Sequence, residues 1–299
     1  MIKLNGLHLL ITYQCTFECD HCFVWGSPFQ RGTMTLETIR LILNQAKDAS
    51  SVEWIYFEGG EPFLYYQVML AGIDRAIELG FKVGIVTNSY WATSEEDACL
   101  WLEPLVGKVQ DLSISSDLFH YSENISQQSK HVTQVANQLK IPLGIICIEQ
   151  PENPSVSSIG QITSEPSSLM YRGRAAAQLV EKALLHSTVN LIECPHENLK
   201  DPGRVHIDPL GNIHICQGIS IGNIFTTTIR KICDNFNPTD HPIIGPLLSG
   251  GPLNLAEQYQ ISSAEAYADA CHLCYETRKL LRNQFPDTIL PDQMYGVYG

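Results

Sequence analysis

Short, nearly continuous apolar runs alternate with longer amphipathic stretches along residues 7–150. The short runs are "LHLLIT" (7–12), "EWIYFEG" (53–59), "KVGIVTN" (82–88), "DLSISS" (111–116) and "PLGIICI" (142–148). Runs of this kind suit strands covered on both faces. Between them, "TLETIRLILNQAKDA" (35–49), with Thr35 as its N-cap, and the stretches 66–79, 95–103 and 124–140 predict helices. Strand and helix recur about every 30 residues, the spacing of right-handed βαβ crossovers, so the fold class is α/β with a parallel sheet.

The pattern changes after residue 150. "EQPENPSVSSIGQITSEPSS" (149–168) reads as a long loop, and "GRAAAQLVEKALL" (173–185) as a helix. "VHIDPLGNIHIC" (205–216) predicts a β-hairpin turning at 209–212, followed by a helix near 228–236. Pro and Gly in "HPIIGPLLSGGPLNL" (241–255) argue against one long helix there. The last helix is expected from Cys271 to about Phe285.

With 299 residues, 44% apolar and 17% charged, the chain has the composition of a globular protein with room for a sizeable core. The net charge of −13 comes with no basic cluster, which speaks against a nucleic-acid partner. No apolar run is long enough to span a membrane. Asn5, Gly6 and His8 interrupt any signal-like stretch, so the expected location is cytoplasmic. Ten cysteines are many for such a chain. Thiols stay reduced in the cytosol, so clustering there points to metal binding or catalysis rather than disulfides.

Three cysteines, Cys15, Cys19 and Cys22, stand as C-x3-C-x2-C where the first predicted strand ends, with His21 just before the last. Two centres fit. Zinc could take the three thiolates and His21, although adjacent His21 and Cys22 tend to point apart. A [4Fe–4S] cluster held by three thiolates would keep one iron open. Further along, "YFEGGEPFL" (56–64) closes the second strand. Gly59 and Gly60 there allow close backbone approach to a ligand, and the Glu61 carboxylate suits an ammonium group. "IVTNS" (85–89) and "SISSD" (113–117) end the third and fourth strands with Asn88, Ser115 and Asp117, at the strand ends where parallel barrels bind ligands.

Taken together, these segments resemble the radical S-adenosylmethionine (SAM) enzymes. The resemblance implies a partial (β/α)6 TIM-like barrel over residues 1–185. It implies that Cys15, Cys19 and Cys22 hold a catalytic, SAM-binding [4Fe–4S] cluster, and that His21 packs near the cofactor. Gly59, Gly60 and Glu61 would meet the SAM amino group, and Asn88, Ser115 and Asp117 its ribose or methionine portion. "MYRGRA" (170–175) is similar to a segment that supplies an arginine for the SAM carboxylate, with Arg172 or Arg174 as the candidate. The implied activity is reductive cleavage of SAM to a 5′-deoxyadenosyl radical, which abstracts hydrogen from a substrate. The electron would come from a reducing partner such as flavodoxin or ferredoxin.

Cys194, Cys216, Cys271 and Cys274 form a second set, with Gly211 preceding Cys216 on the hairpin and "CHLC" opening the last helix. They resemble the SPASM and shorter twitch extensions of the same enzymes. A small C-terminal β-hairpin/helix domain over 186–299 would then hold a second, auxiliary [4Fe–4S] cluster. Structural zinc is the alternative, and His196, His214 or His272 could replace one cysteine. Cys99, Cys147 and Cys233 read as packing residues. Relatives of this type modify peptides or oxidise sugars and cyclitols, so the substrate is a peptide or a small molecule. From another class, an iron–sulfur or zinc scaffold without catalysis remains open. The segment "LPDQMYGVYG" (290–299) either covers the barrel mouth or is exposed.

Overall fold

The computed structural model describes residues 2–151 and 167–297; the loop expected over 149–168 lies almost wholly outside them. The strands β1 (Gly6–Thr12), β2 (Trp54–Gly59), β3 (Lys82–Thr87), β4 (Asp111–Ser115) and β5 (Leu143–Ile146) alternate with four helices. These are α1 (Leu36–Ala49), α2 (Tyr66–Glu78), α3 (Glu95–Leu102) and α4 (Gln127–Leu139). Each element falls within about three residues of its prediction, for local reasons. The hydroxyls of Thr35, Ser94 and Ser126 accept from the amides of Thr38, Asp97 and Ser129, which starts α1, α3 and α4.

The strands lie in the order β5-β4-β3-β2-β1, all parallel, and a parallel bridge joins Ile148 to Ser167 beyond β5. Side chains alternate across this sheet. Leu7, Leu9, Ile55, Phe57, Val83, Ile85, Leu112 and Ile114 are buried in one core with Ile39, Ile42 and Leu43 of α1 and Met69 and Ile73 of α2. The intervening positions, His8, Tyr56, Glu58, Asp111, Ser113 and Ser115, line a large interior cavity instead. The architecture is therefore a parallel α/β partial barrel with an apolar helix-facing side and an inside to which these strands contribute polar side chains.

Residues 173–185 do not form the expected helix. They make one short helix, α5 (Ala175–Gln178), and a 3₁₀ turn at Val180–Lys182. The chain must extend immediately afterwards, because β6 (His186–Ser187) pairs with the distant β10 (Ala266–Tyr267). This long-range pairing overrides the helix propensity of the alanine run. The hairpin forms as expected from β7 (Arg204–Ile207) and β8 (Asn212–Cys216), and β9 (Ile219–Asn223) extends it. It does not stand apart: β7 pairs in parallel with β1, His206 opposite His8, giving one eight-stranded sheet across the 185/186 boundary.

Then follow α6 (Ile229–Asn235), α7 (Ile244–Gln258) and α8 (Ala270–Leu281). α7 breaks at Gly250 and Gly251, ahead of Pro252, as the Gly and Pro content suggested. The 290–297 segment packs down. Tyr295 is buried, donates to the Gly218 carbonyl at 2.8 Å, accepts from Arg278 at 2.6 Å and stacks on Tyr275 at 5.3 Å. Gln293 donates to the carbonyls of Val24 and Trp25. The segment thus links the cysteine loop to the hairpin. Replacing Tyr295 by Ala should destabilise the protein by about 3–5 kcal/mol. The check is a lower urea midpoint at unchanged denaturant slope; a loss under about 1 kcal/mol would contradict this tie.

Candidate active site

Cys15, Cys19 and Cys22 occupy the loop after β1 and face one cavity of about 1020 Å³ inside the barrel. The Sγ atoms of Cys15 and Cys22 accept backbone amides of Phe17 (3.4 Å) and Gly26 (3.2 Å). Asn88 donates to Cys15 Sγ at 3.5 Å and to the Thr16 hydroxyl at 3.1 Å. Burial pushes the Cys15 thiol up to about 12, against the Phe17 amide and Asn88. Burial and then the neighbouring Cys22 and Cys15 push Cys19 up as well.

Arg174, 3% exposed, holds this loop. It donates to the carbonyls of Cys19 (2.7 Å) and Gly26 (2.8 Å) and lies over the Trp25 ring at 5.3 Å. The sequence left Arg172 and Arg174 undivided, and contacts this far apart in the chain carry no sequence signal. Arg172 lines the large cavity but also donates to Cys216 Sγ (3.3 Å) and Glu197 (3.4 Å).

The glycines are dictated by sterics. A Cβ on Gly60 would stand 2.1 Å from the Gln14 carbonyl, and one on Gly59 2.4 Å from that of Thr12. Both glycines line the cavity, whereas Glu61 lies behind it, 0% exposed. Its carboxylate accepts from the Phe63 amide (3.0 Å), the Thr87 hydroxyl (2.8 Å) and the Asn88 amide (2.7 Å). Burial raises Glu61 to about 7, and those donors hold it from going higher. These bonds tie the end of β2 to the end of β3.

His21, Asn88 and Ser115 line the cavity. The His21 ring packs on Phe119 at 4.6 Å and His120 at 5.2 Å, and burial lowers it to about 4, keeping it neutral. Asp117 is buried outside the lining. It accepts amides from Phe119, His120 and Ile148, and bonds the His120 ring at 2.8 Å.

The second set also converges. Cys194, Cys216, Cys271 and Cys274 line one small cavity with Arg172, His196 and Arg278. Burial, Cys216 and Cys274 raise Cys194 to about 12. His214 and His272 are used elsewhere: His214 pairs with Asp208 at 3.1 Å, and His272 Nδ1 accepts the Ala268 amide at 3.2 Å. Cys233 is in the core, as expected, and Cys99 packs against it half-buried.

The Radical SAM superfamily profile matches residues 9–110. Among curated proteins, YydG of Bacillus subtilis (strain 168), provisionally named for peptide biosynthesis, is 26% identical over 108 residues, 36% of this chain and 34% of YydG. The S-adenosylmethionine-dependent nucleotide dehydratase of Selenomonas ruminantium is 31% identical over 111 residues, 37% of this chain and 38% of that protein. These matches span little more than a third of the curated relatives' length. Among solved structures, BtrN in complex with AdoMet and 2-DOIA superposes with a TM-score of 0.51 at 16% identity, covering 79% of this chain and 84% of BtrN, a likeness of fold.

Residues 9–110 therefore carry a radical SAM superfamily domain. Such a domain implies SAM and a [4Fe–4S] cluster, and the residues present fit both. Two buried thiols, Cys15 and Cys19, crowd one loop with part-buried Cys22 and with Arg174 as the nearby cation, so thiolates there need more positive charge. The cavity beside them is large enough for SAM and a second molecule. Replacing Arg174 by Met keeps the stem and removes two charge-assisted bonds. We expect about 2–4 kcal/mol lower stability by urea unfolding and reduced iron retention after desalting. Iron content equal to wild type would show that the loop holds its shape without Arg174.

Proposed function

We propose that this chain is a radical SAM enzyme with a twitch-type auxiliary cluster that oxidises a polar small molecule. The carrying observation is the gathering of seven cysteines into two separate sites, the first opening onto a large cavity with polar side chains on one wall. In this reading Cys15, Cys19 and Cys22 hold the SAM-binding cluster, and Cys194, Cys216, Cys271 and Cys274 the auxiliary one. When bound, SAM and the first cluster supply a one-electron cleavage whose 5′-deoxyadenosyl product takes hydrogen from an unactivated C–H bond.

The chain's own residues shape that chemistry. Arg174 fixes the cysteine loop. Gly59 and Gly60 bring bare backbone to the cavity, where their carbonyls suit an ammonium, and Asn88 and Ser115 offer polar groups at the strand ends. Neutral His21 gives a flat wall. Arg172 and Arg278 stand beside the second cysteine set, where two buried guanidinium groups favour thiolate ligands and a negatively charged centre.

A small polar substrate is favoured by the wall of His8, Glu58, Asp111, Ser113 and His206. Peptide modification is the second reading, supported by the likeness to YydG. The cavity beside the three cysteines argues against a scaffold without catalysis, because a pure carrier needs no such space. Among the described residues no helix is long and apolar enough to cross a membrane.

Anaerobic reconstitution should give about eight irons per chain, four for each cluster. Dithionite and SAM should then yield 5′-deoxyadenosine. Ala at Cys15, Cys19 and Cys22 together should abolish that product, whereas Ala at Cys194 and Cys271 should halve the iron and leave SAM cleavage measurable. Product from the triple variant would refute the assignment, and zinc with about four irons would make the second site structural.

A further inference from the structure

Three side chains on different strands meet deep in the barrel: His8 on β1, Glu58 on β2 and His206 on β7. His8 Nδ1 stands 3.1 Å from Glu58 Oε2, and His206 Nε2 stands 3.0 Å from Glu58 Oε1. One ligating atom from each lies within 4.8 Å of the others. All three line the large cavity, on the same wall as Phe23 and Gln217.

We propose that His8, Glu58 and His206 bind a divalent metal ion whose open positions hold an oxygen donor of the substrate. Two imidazoles and one carboxylate form a common set for zinc, iron(II) or manganese, and leave coordination positions for an external ligand. Ligands about 2.1 Å from a shared cation stand roughly 3.0–3.4 Å apart, the separation Glu58 already has from each histidine. The two imidazoles need only close onto the carboxylate between them.

A second observation points the same way. Glu58 is 9% exposed and its Oε1 accepts no hydrogen bond, although His206 Nε2 is near. The contact is short but not aligned for an N–H bond, as expected of two atoms turned toward a common third. Gln217 Oε1 is likewise buried without a partner, while Gln217 Nε2 lies 3.2 Å from His206 Nδ1 and 3.3 Å from its Nε2.

Two other groups of donors are weaker. In His21, Asp117 and His120 the carboxylate is occupied by backbone amides. In His196, Asp269 and Cys271 the carboxylate accepts the amides of His272 and Tyr171. Of these carboxylates, Glu58 is the one left with an oxygen free of hydrogen bonds.

The metal site stands on its own geometry; its use in orienting a substrate rests on the proposed radical SAM reading. The probe is Mn²⁺, a hard ion that prefers oxygen and nitrogen to thiolate. It is titrated into the cluster-loaded chain, oxidised and without substrate, with free Mn²⁺ read by electron paramagnetic resonance. The wild type should take up one Mn²⁺ per chain, displaced by stoichiometric Zn²⁺. Glu58→Gln and His8→Asn should each weaken binding at least about tenfold, and Asp117→Asn should leave it unchanged. The variant with Ala at Cys15, Cys19 and Cys22 should still bind Mn²⁺, so a failure of SAM cleavage and a failure of this site are separable. No stoichiometric uptake by the wild type, or equal uptake by Glu58→Gln and wild type, would overturn the proposal and leave a hydrogen-bonded His–Glu–His triad.

Discussion

The site depends on one close approach of backbone to backbone. Where β1 and β2 end side by side, Gly59 and Gly60 press against the carbonyls of Thr12 and Gln14, closer than any Cβ would permit. The approach lets the Gly60 amide donate to Thr12 (2.7 Å) and the Glu61 amide to Gln14 (2.9 Å). Glu61 is then turned inward, and its carboxylate anchors Thr87 and Asn88 at the end of β3. Asn88 in turn reaches Cys15. The cysteine loop, the glycine turn and the third strand end are therefore one hydrogen-bonded unit. Its members come from three βα connections, and moving any one moves the thiols.

Charge is the second constraint. Burying a thiolate costs energy unless a cation accompanies it. The chain places a buried guanidinium at each cysteine group: Arg174 by the first, and Arg172 and Arg278 by the second. Arg172 also borders the large cavity, so it touches both regions. Its Nε and that of Arg278 are buried without a hydrogen-bond partner, as are few other side-chain atoms among the described residues. Donors left open next to four thiols suit sulfur-rich acceptors of negative charge.

Much of this was legible in the sequence, because it is local. The C-x3-C-x2-C spacing, the Gly-Gly turn, the strand runs and the capped helices each depend on neighbours within a few residues. What was not legible depends on closing the sheet. Nothing local says that "RVHI" of β7 pairs with "GLHL" of β1, so the hairpin read as part of a separate unit. The role of Arg174 requires carbonyls roughly 150 residues away, and the docking of Tyr295 on Gly218 is of the same kind. A weak signal for the interior wall did exist. His8 interrupts "LHLLIT", Glu58 interrupts "WIYFEG" and His206 interrupts "RVHI", each a polar residue in a run otherwise suited to burial. An alternation of that kind marks a strand with one polar face; read as continuous apolar runs, the strands lost that information.

The shared sheet also bears on how the two cysteine sites relate. β7 supplies His206 to the cavity wall, and β8, hydrogen-bonded to it, supplies Cys216 to the second site. Gln217, next in the chain, returns to the cavity beside His206. Residues lining the large cavity and a thiol of the second site thus sit on adjacent strands, and Arg172 bonds Cys216 from the cavity side. A ligand that moved β7 would have to move Cys216 with it, because sheet hydrogen bonds do not slide singly. The 290–297 segment closes the same circuit from outside, holding Val24 and Trp25 of the cysteine loop through Gln293 and Gly218 of the hairpin through Tyr295. These long-range contacts keep two thiol sites and one large cavity at fixed separation.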